Sequence, residues 1–250
     1  MKKISILLLT FMILAFVFGC APKEKEKINI SCAVSMQDAM DEIITAFTDE
    51  DTNADVTAKY ASSGDIIKQI EQGDPKDVLI SAGRKGMDTL KKKGCIDEES
   101  ISEVAGNRLV LIVGKRREMV NFEELPKDIR YTAIGDPESV AAGRYAKEVF
   151  TNLGNWDDMK ERMVYGKDVK QVLKYVEDGS ARAGVVYKTD AMVSDKVKIS
   201  DVAPGDSYEK ILYFSAIVKG SEEKKEAQAF TKFLHSSKAR SIFVKYGFDM

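Results

Sequence analysis

Residues 28–47 read INISCAVSMQDAMDEIITAF, and a change of period inside this stretch decides the fold class. Ile28 to Ala33 is a short apolar run of strand character. From Met36 onward the apolar positions are Met36, Met40, Ile43, Ile44 and Phe47, the spacing of one helix face. A strand feeds a helix. Working outward, the same unit recurs: Val56 to Tyr60 before Ile66, Ile67 and Ile70; Val78 to Ile80 before Met87 and Leu90; Tyr131 to Ile134 before Val140, Tyr145 and Val149. Leu109 to Val113, Ala183 to Val186 and Leu212 to Val218 read as further strands, and Glu222 to Leu234 and Lys238 to Tyr246 as closing helices. Such alternation predicts α/β architecture with mostly parallel sheets.

The chain has 250 residues, of which 44% are apolar, enough for a large core and too apolar for disorder. Lys and Arg number 38 against 40 Asp and Glu. No basic surplus is available to neutralise a phosphate backbone, so nucleic acid is not an expected partner. Three cysteines and a single histidine leave few soft ligands for a directly coordinated metal.

Lys2 and Lys3 precede the apolar run Ile4 to Phe18, which ends at Gly19-Cys20. This is the pattern of a signal peptide, residues 1–19, and its apolar part is short for a membrane span, which needs roughly 20 residues. The sequence before Cys20 resembles a bacterial lipobox, with Phe18 bulkier than usual there. Cys20 would be the lipidated mature N-terminus and residues 20–27 a charged tether, since APKEKEK carries no packing surface. Loss of residues 1–19 leaves 36 basic against 40 acidic side chains, a net charge of −4. Cys32 and Cys95 read as small buried residues rather than a disulfide.

About 230 residues fit two α/β lobes better than one sheet. The expected division is residues 28–105 with 191–250 as the first lobe and 106–190 as the second, joined by a hinge. Ligands of open α/β sheets bind beyond the carboxyl ends of the strands, so the strand-to-helix turns are the candidate site. Ser35 stands in N-cap position with Asp38 three residues on, and Ala61-Ser62-Ser63-Gly64-Asp65 is a hydroxyl-rich helix start. Ordinary capping explains any one of these serines. The recurrence of small uncharged residues where bare N–H groups face outward suits an anion better. A third turn, opening GDPESVAAGRYAKE from Gly135, has tiny side chains where a helix begins.

At Gly135 to Trp156 (GDPESVAAGRYAKEVFTNLGNW) the sequence resembles the molybdate-binding proteins of bacterial ABC importers, which have the type II periplasmic-binding-protein fold. Ala61-Ser62-Ser63, Gln69-Ile70-Glu71, Gly184 to Ala191 (GVVYKTDA) and Tyr246-Gly247-Phe248 extend the likeness over nearly the whole mature chain. The resemblance implies an oxyanion held by Ser35 and Ser63, each through its hydroxyl and its amide, by the backbone N–H groups of Ala142 and Val169, and by the hydroxyl of Tyr187. Two positions depart from the family pattern. Ala141 replaces a proline, which loosens the backbone beside Ala142, and Gly64 replaces a third serine, which removes a minor polar contact.

The resemblance further implies a monomeric receptor, lipid-anchored at Cys20 on the outer face of the cell membrane, which passes molybdate or tungstate to a permease with a cytosolic ATPase and needs no cofactor. Neutral donors suit such a dianion: about seven charge-assisted bonds of ~1.5 to 2 kcal/mol, less at least ~4 for lost freedom, leave micromolar affinity or better. A protonated ligand would find no acceptor, so hydrogenphosphate should bind poorly. Sulfate is fully ionised, and its rejection rests on cavity size. No residue of this set titrates between pH 6 and 8, so affinity should be flat there.

A receptor for another tetrahedral oxyanion, sulfate-like, is the alternative, with an exported hydrolase or a lipid-anchored adhesin behind it. An enzyme is not expected. His235 stands alone as a surface residue in the C-terminal helices, and neither Gly-x-Ser-x-Gly nor His-Glu-x-x-His occurs. Gly179 to Gly184 has phosphate-loop spacing but continues Val-Val in place of Lys-Ser. Asp49, Asp51, Asn53 and Asp55 mimic a calcium loop, yet Ala54 replaces the turn glycine and Tyr60 the bidentate acid. Trp156 and the scattered methionines read as core.

Overall fold

The computed structural model describes residues 25–50, 54–125, 131–221 and 224–250. The signal peptide, Cys20, most of the tether and part of the calcium-loop mimic lie outside them. Among the described residues no helix is long and apolar enough to cross a membrane.

Among the described residues ten strands form two five-stranded sheets. The first sheet has the order β2-β1-β3-β10-β4 and the second β7-β6-β8-β5-β9. In the first, β1 (Glu26–Ala33), β2 (Ala54–Ala61) and β3 (Val78–Ala82) are parallel, while β10 (Ile211–Ile217) runs antiparallel between β3 and β4 (Ser102–Asn107). The second repeats the plan. β6 (Thr132–Gly135), β7 (Met163–Gly166) and β8 (Ala183–Tyr187) are parallel, and β5 (Leu109–Gly114) runs antiparallel between β8 and β9 (Val197–Val202). Each sheet is therefore mixed, three parallel strands and an antiparallel pair of neighbours, rather than mostly parallel.

The helices lie where the parallel strands need crossovers. In chain order they are α1 (Gln37–Glu50), α2 (Ser63–Glu71), α3 (Arg84–Lys92), α4 (Ala141–Asn152), α5 (Trp156–Met159), α6 (Val169–Glu177), α7 (Lys188–Met192), α8 (Lys224–Phe233) and α9 (Ser237–Lys245). Helix α1 buries Met40, Ile43 and Phe47 at helical spacing, with Met36 buried in the short 3-10 turn ahead of it. Phe47 meets Phe230 and Phe233 of α8 edge-on, at ring separations of 5.2 and 5.3 Å. Central strands β3, β5 and β8 are buried almost throughout because both faces are covered. Helix α4 packs closely on β6, since a Cβ on Gly143 would run into the Gly135 carbonyl.

The chain crosses between sheets at Asn107 to Leu109 and again after Val202. The return expected at residue 191 comes too early: β9 still belongs to the second sheet, pairing with β5 from Val110↔Val202 to Gly114↔Val197. Its residues VKISDV are mostly half-buried, so they carry no continuous apolar run to announce a strand. Cys32 is buried but Cys95 is half-exposed, a correction to its reading as core, and both are free thiols. Trp156 is likewise only partly buried, with the Lys147 ammonium 5.4 Å from its ring centre. Of the methionines, Met36, Met40, Met87 and Met159 are core while Met119, Met192 and Met250 are exposed.

Candidate oxyanion site

Every parallel strand but β3 ends at one small cavity. Its walls are Ala33, Val34 and Ser35 after β1; Ala61, Ser62 and Ser63 after β2; Val140, Ala141 and Ala142 after β6; Asp168 and Val169 after β7; and Tyr187 closing β8. All five residues expected from the sequence, Ser35, Ser63, Ala142, Val169 and Tyr187, are thus brought together, two from the first sheet and three from the second. The cavity leaves about 10 Å³ for the centre of a water-sized sphere, the room of one small guest. A larger hollow of about 670 Å³ lies between Lys68 and Lys85 on one side and Arg144 and Lys147 on the other, and contains none of the five.

The serines do not act as the sequence suggested. Ser35 caps nothing: it lies inside the 3-10 turn Val34–Met36, and its Oγ is 2.9 Å from the Tyr213 Oη. Ser62, not Ser63, is the N-cap of α2, its Oγ accepting from the Asp65 N–H at 3.1 Å. That frees Ser63, whose Oγ accepts from the buried Ala82 N–H at 3.0 Å. A hydroxyl whose oxygen already accepts from the protein has its hydrogen left to give.

Helix α4 starts buried, with Ala141 and Ala142 at 5% and 1% exposure, and Val140 before it supplies no side-chain cap. Its first N–H groups have no acceptor within the helix. At α6 the Asp168 carboxylate accepts from the Gln171 N–H at 2.7 Å, which leaves the Val169 N–H free of that cap. Tyr187 is 2% exposed and its hydroxyl has no hydrogen-bond partner. Burial pushes its phenol well above the usual tyrosine value, so it stays a neutral donor. Asp168 is the one charged residue of the wall, and no lysine or arginine lines it.

The two departures from the family pattern have a local explanation. Ala141 is the first residue of α4, where proline is favoured and alanine is tolerated. Gly64 faces the Ser139 carbonyl of the opposite half, which a Cβ at position 64 would strike. The glycine therefore permits close approach rather than merely losing a polar contact. Beside it Ser62 Oγ lies 3.2 Å from the same carbonyl, its one hydrogen shared with Asp65 Oδ2 at 2.8 Å, and Lys170 of α6 pairs with Asp38 of α1 at 2.9 Å. Contacts of this kind join the halves around the cavity.

Sequence reasoning missed Asp190, buried beside Tyr187 in α7, with Oδ2 unpartnered. Burial raises its pKa to about 8, against the pull of Lys170. It also missed Tyr213 and Asn107, which sit in strands and carry no turn signal. His235 is exposed in the turn after α8, its Nε2 3.0 Å from Ser102 Oγ, and meets no acid–base partner for catalysis. Gly179 to Gly184 leads into strand β8, not into a phosphate-binding helix. Among the described residues no cluster of three His, Cys, Asp or Glu could hold a metal ion.

Comparison with known proteins agrees with this architecture. The chain is 41% identical over 256 residues to YvgL of Bacillus subtilis, whose name carries the provisional description ABC transporter substrate-binding lipoprotein, covering 99% of this chain and 98% of that one. It is 35% identical to the molybdate-binding protein ModA of Haemophilus influenzae, covering 100% and 99%. Among solved structures, the periplasmic molybdate-binding protein of Azotobacter vinelandii superposes with a TM-score of 0.81 at 26% identity, over 89% of this chain and 99% of that one. The family model for bacterial extracellular solute-binding proteins matches residues 28–249, and the chain belongs to that family.

Proposed function

We propose that this protein captures molybdate, and also tungstate, in the cavity between its two sheets and presents it to a membrane permease driven by an ATPase. One observation carries the reading. A buried helix start without a cap and a buried phenol without a partner face the same guest-sized cavity as the Ser35 and Ser63 hydroxyls. Leaving such groups unmet is costly, and a tetrahedral dianion meets them together. The molybdate-binding relatives support that choice of anion.

Ser35 and Ser63 donate hydroxyl hydrogens from one side; Ala142 and Val169 donate N–H groups and Tyr187 its hydroxyl from the other. Because the donors are split, the anion contacts all of them only when the halves are together. Binding then shifts an open–closed equilibrium about a hinge at the two crossovers, by the difference in affinity for the two states. Lys170–Asp38 and Ser62–Ser139 would form on closure. Nothing in the donor set activates water or holds a nucleophile, which favours capture over catalysis. The YvgL likeness and the Gly19-Cys20 pattern support a lipid anchor at Cys20, outside the cytoplasm, and the receptor works as a monomer in this reading.

Titration calorimetry on the chain from Ala21 onward tests the reading. Molybdate and tungstate should each bind at one per chain with micromolar affinity or better, and sulfate more weakly. Absence of heat with both metal oxyanions would remove the proposal, and sulfate as the tighter ligand would replace it with the sulfate-receptor alternative.

A further inference from the structure

We propose that Tyr213 is a positioning residue, fixing the direction of the Ser35 hydroxyl through a hydrogen-bond chain that starts at the crossover between the sheets. The inference rests on the oxyanion reading of the cavity and assigns a role to three residues outside its wall: Tyr213, Asn107 and Thr189.

The polarity of the chain follows from its fixed end. Asn107 is the last residue of β4, one residue before the chain leaves the first sheet. Its side-chain carbonyl accepts from the Arg108 N–H at 2.8 Å, which sets the amide orientation. The Nδ2 group then faces two acceptors, Thr189 Oγ1 of α7 at 2.9 Å and Tyr213 Oη at 3.3 Å. Having accepted from Asn107, the Tyr213 oxygen gives its own hydrogen to Ser35 Oγ at 2.9 Å. Ser35 is left with a hydrogen and no nearer use for it than a guest in the cavity.

Burial keeps this relay in one direction. Tyr213 is fully buried at 0% exposure and Asn107 is 7% exposed, so water does not offer competing partners. The Tyr213 ring is clamped edge-on between Tyr187 at 6.0 Å and Phe248 at 5.5 Å. Desolvation also holds its phenol above the ordinary value, neutral at any physiological pH. Ser63 reaches the same polarity with a backbone group, the Ala82 N–H. Since Asn107 belongs to the first sheet and Thr189 lies in α7, two residues after the end of β8, the hydrogen-bond chain also ties Ser35 to the helix that begins immediately after Tyr187.

A double-mutant cycle read by molybdate titration tests this on the whole mature chain. Tyr213→Phe keeps the ring and should weaken molybdate about tenfold, the effect of one misdirected charge-assisted bond. Ser35→Ala should weaken it at least as much. In the double variant the Tyr213→Phe change should add nothing, because there is no Ser35 hydroxyl left to direct. Multiplying effects, or a Tyr213→Phe protein that binds like wild type, would overturn the proposal.

Asn107→Asp supplies a second reading should Tyr213→Phe fail to fold. It replaces the donor with an acceptor, so the hydrogens along the chain reverse and Ser35 presents its oxygen to the anion. Its penalty should shrink when Ser35 is already alanine, and an undiminished penalty would again count against the relay. Wild-type protein is titrated first: if it binds no molybdate, the oxyanion reading falls and takes this one with it, whereas a binding wild type with an additive cycle defeats only the relay.

Discussion

On the first-sheet side of the cavity, the hydroxyls of Ser35 and Ser63 each already hold a protein partner, Tyr213 at 2.9 Å and the Ala82 N–H at 3.0 Å. On the second-sheet side, the Tyr187 hydroxyl has none and helix α4 begins without a side-chain cap. Both walls present neutral donors, yet only the first is satisfied while it waits. Removing a donor from the first wall should therefore harm the folded protein and binding together. Removing one from the second should harm binding while relieving the empty protein.

The largest effect expected belongs to neither wall but to their meeting. Gly64→Ala places a methyl against the Ser139 carbonyl, and overpacking of ~1–3 kcal/mol would weaken molybdate by up to about a hundredfold if closure is required; unchanged calorimetric affinity would show that the halves need not touch there. Ser63→Ala comes next. It should weaken binding by roughly 1 to 3 kcal/mol and, by orphaning the Ala82 N–H, lower the melting temperature of the ligand-free protein by a few degrees. Tyr187→Phe is its counterpart: affinity should drop about tenfold while the ligand-free melting temperature holds or rises by about 2 °C. If both variants destabilise alike, the contrast between the walls is wrong.

Two smaller effects sharpen the comparison. Asp190 lies behind the second wall with a pKa of about 8. The folded chain keeps a proton there that the unfolded chain gives up near pH 4, so stability should fall as pH rises from about 4 to about 8 and level off beyond. Molybdate affinity should be flat near pH 6 and decline a few-fold toward pH 9 as a buried negative charge appears, and Asp190→Asn should flatten both profiles. Smallest is Lys170→Ala. The Lys170–Asp38 pair has side chains 33% and 45% exposed, and losing such a pair should change the dissociation constant by no more than about twofold.

Much of this was legible because the informative signals are local. Leu109 to Val113 announces itself as a strand by a continuous apolar run buried on both faces, and Ile28 to Ala33 by closely spaced apolar residues, all buried, with Asn29 exposed among them. SEVAGN of β4, MVYG of β7 and VKISDV of β9 are short and only partly buried, and their pairing is set by neighbours distant in sequence. Overlooking β9 is what misplaced the return to the first sheet. The cavity residues sit at turns, where Ser35, Ser63 and the Ala141-Ala142 start are visible as chemistry. Gly64 could be read only with Ser139 in view, 75 residues away in the chain. Tyr213 and Asn107 look like ordinary strand residues until their hydrogen bonds are traced, and Asp190 looks like a surface acid until its burial is known.

Strand β10 lies in the interior of the first sheet, with β3 on one flank and β4 on the other. It is drawn from the last forty residues, 211–250, although the sheet it completes begins at Glu26. During synthesis or passage through a membrane, β3 and β4 are both made long before the partner they share. Until the carboxyl end arrives, the nascent half carries two unzipped edges open to misplaced pairing. Premature termination anywhere before residue 211 should therefore leave an aggregating fragment rather than a smaller working receptor.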